Sequence, residues 1–254
     1  MFASKSILTT WRKFDNFSMD TLTKAWYYQR IGQAFQRNVS LMKEHREQFG
    51  VAGNCFDLAI WLLEEFKSDG MKAYPIGHEL GTEAAHVAVI AVDEEGHRFL
   101  CDLGDQWLEP ILIDKSAPDY SNEKLAGFFP AAHVQVIPKP EHVEILYFRP
   151  NGKVSNQRYI TNPVPLSDFI IAANSSQKTF KQEPLVEIRT PHQDDMAHWE
   201  FGHWRSFLST NQGVIEDHPL STIEEWTERI HAKTGYNGQV IREALMFYRQ
   251  MQKS

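Results

Sequence analysis

One thiol, one imidazole and one carboxylate follow each other within residues 53–104, each near the end of a stretch with a strong local signal. Cys55 comes after Gly53-Asn54 and before Phe56, Leu58, Ala59, Trp61, Leu62, Leu63 and Phe66, apolar positions at helical spacing. A thiol in the first turn of a helix faces unpaired N–H groups and the positive end of the helix dipole, so the spacing predicts a reactive cysteine of lowered pKa. His86 opens His86-Val87-Ala88-Val89-Ile90-Ala91-Val92, which reads as a buried strand. Asp93-Glu94-Glu95-Gly96 supplies a turn, and residues 97–104 read as the returning strand, with Asp102 near its end and beside the His86 strand. Nucleophile, base and orienting carboxylate are the parts of thiol-based acyl chemistry, the carboxylate holding the imidazole tautomer and stabilising the imidazolium. Taken singly, each has an ordinary reading as a small buried hydrophobe, an edge histidine or a turn cap. Their joint order at element ends is what points to catalysis.

These segments carry a family resemblance. Gly53-Asn54-Cys55-Phe56-Asp57, His86-Val87-Ala88-Val89 and Phe99-Leu100-Cys101-Asp102-Leu103-Gly104, with Pro165-Leu166-Ser167-Asp168-Phe169 downstream, resemble segments of the arylamine N-acetyltransferases. Those read G-(Y/F)-C-F-E, T-H with a hydrophobic run, Y-L-V-D-V-G and P-x-S-x-F. The resemblance implies an α+β fold: an N-terminal helical bundle (residues 1–70) carrying the nucleophile, a central antiparallel β-barrel (71–162) carrying His86 and Asp102, and a C-terminal α/β lid (163–254), in a cysteine-proteinase-like arrangement. It implies Cys55 as nucleophile, His86 as base, Asp102 as orienter, acetyl-coenzyme A as acyl donor, an arylamine, hydroxylamine or related amine as acceptor, and no metal.

Two positions depart from the family pattern. Val51-Ala52 stand where the family has Arg-Gly, so a structural arginine beneath the site is missing, and Asp105-Gln106 stand where it has Phe-Gly, putting polar groups in place of an apolar wall. The oxyanion donors are expected from the backbone of Cys55 and from the stretch Leu103-Gly104-Asp105. Trp107, Phe128 and Phe129 are candidates for a hydrophobic acceptor pocket, against an ordinary reading as core. The triad order also resembles the wider transglutaminase-like thiol enzymes, so a cysteine hydrolase or amidase acting on a peptide or amide is the alternative.

The elements that must position these groups sit in an ordinary globular chain of 254 residues with 42% hydrophobic content, enough to bury a substantial core. Two cysteines give no disulfide framework, which suits a reducing cytosol. A net charge of −7 without a Lys/Arg cluster argues against nucleic-acid binding. No apolar run approaches the roughly 20 residues of a membrane span, and the N-terminus lacks a signal-peptide core. A cytoplasmic enzyme of small molecules is the expectation, with its oligomeric state open.

Upstream, Ser18 or Asp20 reads as the cap of a helix bearing Leu22, Trp26, Tyr27, Ile31 and Phe35, with Arg30 and Arg37 on its wetter side. Leu41–Phe49 reads as a solvated helix ending at Gly50, its His45 at the surface. Downstream, Trp107–Ile113, Val134–Ile137, Val143–Phe148 and Val154–Ile160 read as short strands, the last pair joined at Asn151-Gly152. Leu166–Asn174 reads as a helix and Leu185–Arg189 as a strand. His192, Asp194, Asp195, His198 and His203 invite a metal reading, but their spacing matches no zinc pattern and a polar loop or hairpin is expected. Ser221-Thr222-Ile223-Glu224 reads as a capping box, and a last helix carries Val240, Ile241, Ala244, Leu245 and Tyr248.

Overall fold

The structure, a computed structural model, describes residues 1–183 and 185–253. It begins with helix α1 (Lys5–Trp11), a 3-10 turn at Arg12–Phe14 and a two-residue strand β1 (Met19–Asp20). Helices α2 (Leu22–Ile31), α3 (Val39–Phe49) and α4 (Cys55–Ser68) follow. Gly32 and Gly50 end α2 and α3 in the left-handed conformation that glycine adopts without a Cβ clash. Because α2 stops at Gly32, Phe35 belongs to the loop that follows and not to the helix.

Strands β2 (Lys72–His78), β3 (His86–Val92), β4 (Arg98–Cys101) and β5 (Ile111–Leu112) form one antiparallel sheet in that order. A second contains β6 (Leu125–Phe129), β7 (Ala132–Pro138), β8 (His142–Phe148) and β9 (Val154–Ile160). The expected barrel is therefore two four-stranded sheets, with no closed barrel among the described residues. Strand β5 has two residues and follows Pro110, which has no N–H to give a ladder, and a loop then runs to β6.

Helix α5 (Leu166–Lys178) leads to β10 (Leu185–His192), β11 (Asp195–Gly202), β12 (Arg205–Thr210) and β13 (Gly213–Glu216), and then to α6 (Ile223–Thr234) and α7 (Gly238–Met251). These four strands and β1 make a sheet in the order β1-β10-β11-β12-β13, with Met19 opposite Glu187. Residues near the N-terminus thus complete the C-terminal sheet, and α2 packs on α7, where Tyr248 Oη donates to the Thr21 carbonyl at 3.1 Å. The α6 capping box pairs Thr222 with Glu225, one residue beyond the expected Ser221 and Glu224. Among the described residues no helix is long and apolar enough to cross a membrane.

Helix α4 is the central element of the core. Phe56, Leu58, Ala59, Leu62 and Phe66 are buried along it, against α1, α3, β2 and β3. Fully burying such side chains contributes about 1.5–3 kcal/mol for each large one, which fixes the helix and so the place of its first residue, Cys55.

Candidate active site

Cys55 is the first residue of α4, directly after the N-cap Asn54. Asn54 Oδ1 accepts from the Phe56 and Asp57 N–H groups at 3.0 and 3.1 Å, and Asp57 Oδ2 accepts from the Asn54 N–H at 3.1 Å, a reciprocal capping box. The approach to it is bonded at nearly every backbone group. Gly53 N–H donates to Asp20 Oδ2 at 3.1 Å, the Gly53 carbonyl accepts from Asp20 N–H at 2.9 Å, and Ala52 N–H donates to Tyr236 Oη at 3.0 Å. Gly53 has φ of 141°, and a Cβ there would fall 2.3 Å from Asp57 Oδ2, so the sequence can place only glycine before Asn54.

Beneath this turn lies Arg37, 3% exposed, where the sequence reading expects it on a wet face. Its Nη2 lies 3.2 Å from Asp57 Oδ2 and donates to the Ala52 carbonyl at 2.8 Å, and its Nη1 is 3.3 Å from His45 Nδ1. An arginine therefore does lie beneath the Cys55 turn, and it comes from the loop between α2 and α3. His45 is also buried, 8% exposed, with Trp26, Tyr27 and Phe49 rings around it. Burial, with Arg37 beside it, pushes its imidazole down to about 4, so it is the neutral acceptor of the guanidinium N–H. The expectation of a surface histidine fails because helical spacing on α3 brings those aromatics over it from α2 and from its own next turn.

His86 heads β3 and Asp102 lies one residue past the end of β4, just before the turn at residues 103–106 and not on the strand expected for it. The two meet: His86 Nε2 is 2.7 Å from Asp102 Oδ2. Asp102 is fully buried, and its remaining capacity is taken by Tyr159 Oη at 2.9 Å and by the Asp105 N–H at 3.0 Å. Cys55 reaches this group through Gly104: a Cβ on Gly104 would lie 2.9 Å from Cys55 Cβ and 3.2 Å from Asp102 Oδ1. Only a bare glycine lets the start of α4 approach the carboxylate so closely. Among the described residues the hydrogen bonds of His86 run to Asp102, and the thiol is not one of its partners.

The electrostatics correct the simple expectation for Cys55. Its thiol is partly exposed, yet burial pushes its pKa up to about 12, and Asp102 adds to this against the opposing pull of Lys24 and the Phe56 N–H. The helix start favours thiolate, but desolvation outweighs it. For His86, burial disfavours the imidazolium, and Asp102, Asp105 and Glu187 outweigh that to raise it to about 9. The resting imidazole is therefore a cation. Since 6.5 is its ordinary value, the stability it contributes is complete below pH 6.5 and is lost as pH rises through 9. The expected result is an NMR titration of His86 near pH 9 and a fall in unfolding free energy of up to about 3 kcal/mol across that window, both reduced by Asp102→Asn. A midpoint near 6.5 in the wild type would contradict the pairing.

Of the pocket candidates, Asp105 sits 4.0 Å from His86 Nδ1, with its Oδ2 3.2 Å from Tyr159 Oη, which shares its one proton between Asp105 and the nearer Asp102. Burial, with Asp102 next to it, raises its carboxyl. Its N–H is spent on Asp102, so it is no oxyanion donor. Leu103 is buried, and its carbonyl accepts from the N–H and the Nε2 of Gln106. Phe129 lines a cavity of about 430 Å³ between the β6–β9 sheet and the C-terminal sheet. Trp107 is buried behind it, edge-on to Phe129 and Tyr147, and walls no open space. Phe128 points the other way and stacks on Phe2 at 5.0 Å, since adjacent strand residues face opposite sides. Tyr159, Arg37 and Glu187 were missed by sequence reasoning, and no local pattern marks any of them.

The histidines of residues 192–203 do not converge: His192 ends β10, His203 is exposed and lies 3.2 Å from Glu183, and His198 is buried in the cavity wall. Among the described residues, the grouping with ligand atoms close enough for a cation is His86, Asp102 and Asp105, within 4.8 Å of one another. His86 Nε2 and both Asp102 oxygens are already hydrogen-bonded, which leaves a cation little beyond Nδ1 and Asp105.

No protein-family model matches the chain, and no curated protein does. Solved structures do. The chain is similar to the arylamine N-acetyltransferase of Mycobacterium tuberculosis, at 10% identity and a TM-score of 0.72, covering 99% of this chain and 95% of that one. It is similar to that of Salmonella typhimurium, at 11% identity and a TM-score of 0.71, covering 95% and 89%. A third, the Mycobacterium marinum enzyme in complex with CoA, shares 10% identity with a TM-score of 0.68 over 93% and 88%. At such identities the likeness is one of backbone architecture: the chain has the fold of the arylamine N-acetyltransferases.

Proposed function

We propose that this protein is a cytoplasmic acyltransferase that moves an acetyl or similar acyl group from acyl-coenzyme A to an amine through an acyl group carried on Cys55. The observation that carries this reading is the meeting of the α4 start, the His86–Asp102 pair and Gly104 at one place, within a fold otherwise found in enzymes of that chemistry. The proposed chemistry requires the His86 imidazolium to stand by the Cys55 thiolate when substrate is bound, and so to offset the burial that keeps the free thiol protonated. The thiolate attacks the thioester carbonyl, coenzyme A leaves as a thiolate and takes the imidazolium proton, and the neutral His86 then receives a proton from the attacking amine. Asp102 holds Nε2 throughout, which leaves Nδ1 for these transfers.

Incubation with acetyl-coenzyme A is expected to add one acetyl mass, mapped to the peptide containing Cys55. Absence of that mass counts against the reading. The alternative, a cysteine hydrolase of peptides or amides, draws support from the polar cavity that Asp105 lines. Turnover of acyl-coenzyme A against a panel of peptide amides separates the two.

A further inference from the structure

The cavity that opens beyond Asp105, itself 4.0 Å from His86 Nδ1, has the wrong lining for a neutral aromatic amine. β10 and β11 pair antiparallel with Glu187 directly opposite Glu200, so two carboxylates face each other across the ladder on one side of the sheet. Like charges in directly opposed positions destabilise a sheet, and a fold gains nothing by keeping them unless something else uses them. Both line the cavity, and so does Asp105. Burial and the neighbouring Glu187 raise the Glu200 carboxyl and outweigh the opposing pull of His198, Arg149 and His203.

An independent feature points into the same space. His198, two residues before Glu200 and so on the same face, is 7% exposed and lines the cavity. Its Nε2 is buried without a hydrogen bond, although Glu187 Oε2 lies 3.2 Å away out of alignment. A buried polar group left without a hydrogen bond costs about 1–3 kcal/mol, which a ligand can recover. At about 430 Å³ the cavity is the size of a small-molecule site. Arg149, half-buried, and Lys153, exposed, stand at its outer edge.

We infer that this cavity is the acceptor site of the proposed transfer and that it takes an aliphatic amine, bound as its ammonium by Glu187, Glu200 and Asp105, rather than an arylamine. This rests on the acyl-cysteine reading above. Asp105 removes one ammonium proton. The resulting amine nitrogen bonds to the acyl carbon on Cys55, the C–S bond breaks, and the second amine proton passes to His86. The products are the amide and the Cys55 thiolate beside an imidazolium, and Asp105 returns its proton to water. A negative group on the same acceptor meets Arg149 and Lys153 at the edge. An arylamine, uncharged at neutral pH, gains nothing from the carboxylates and pays for their desolvation.

The test compares n-butylamine with aniline and 4-aminobutyrate with 4-aminobenzoate as acceptors at pH 7.5, in wild type, Glu187→Gln and Glu200→Gln. Acetyl loading of Cys55 is read in the same samples, and calorimetry measures 4-aminobutyrate binding to the unacylated protein. The expected result is at least a tenfold higher kcat/KM for each aliphatic amine over its aromatic partner. In both variants that ratio falls at least tenfold, through KM, and 4-aminobutyrate binding weakens by the same factor. Equal or better use of the arylamines, or a ratio and a binding constant indifferent to both substitutions, overturns the inference while leaving acyl transfer standing. Binding that depends on Glu187 in a protein that never loads acetyl overturns the acyl-cysteine reading and supports the amine site.

Discussion

Cys55→Ser is expected to abolish acyl transfer, by four orders of magnitude or more, while Cys101→Ser keeps most of the activity. Members of a nucleophile–base unit act together, and a serine hydroxyl beside an imidazolium has no base to take its proton, so about 10⁴-fold or more is the scale of loss for such a group. Cys101 ends β4, 1% exposed, where burial raises its thiol and its Sγ lies 3.6 Å from the Phe99 carbonyl. It has no opening to a substrate. His86→Ala should be nearly as damaging as Cys55→Ser, because in the proposed mechanism His86 carries the proton in both half-reactions. Equal activity loss in the two cysteine variants, with both folded by circular dichroism, would move the nucleophile elsewhere.

Arg37→Ala has the largest expected effect on stability. It strips a guanidinium from a site where Arg37 and Asp57 side chains are 2% and 1% exposed, leaving the Asp57 carboxylate and the Ala52 carbonyl short of a partner. Removing one member of a buried ion pair costs about 3–5 kcal/mol, and at this chain length that lowers the melting temperature by roughly 10 °C. Arg30, exposed and 5.2 Å over the Trp26 ring, is the control: Arg30→Ala should cost no more than about 1 kcal/mol. Because Asp57 closes the α4 capping box, the loss reaches Cys55, and acetyl loading should fall together with stability. A melting temperature within 2 °C of wild type, on the order of the shift from a surface change, would remove Arg37 from the frame of the site.

The local elements were legible in the sequence because each rests on neighbours along the chain. Gly53-Asn54 before an apolar helical run placed Cys55 at a helix start, the β-branched run placed His86 on a strand, and the acidic turn ending in Gly96 returned the chain toward it. The glycines at positions 53 and 104 were visible too, though not the contacts that require them. Only the tertiary structure decided which distant groups share the site. Arg37 reached Asp57 across 20 residues, Tyr159 reached Asp102 across 57, and β1 brought the N-terminal region into the sheet that carries Glu187. It also reversed the reading of the thiol. A helix dipole acts through one turn and can be read from sequence, whereas desolvation depends on every chain that closes over the group. The same reason hid the barrel's absence and the charged cavity: strand alternation says which residues share a face, but what faces them is set by packing between sheets that no local pattern encodes.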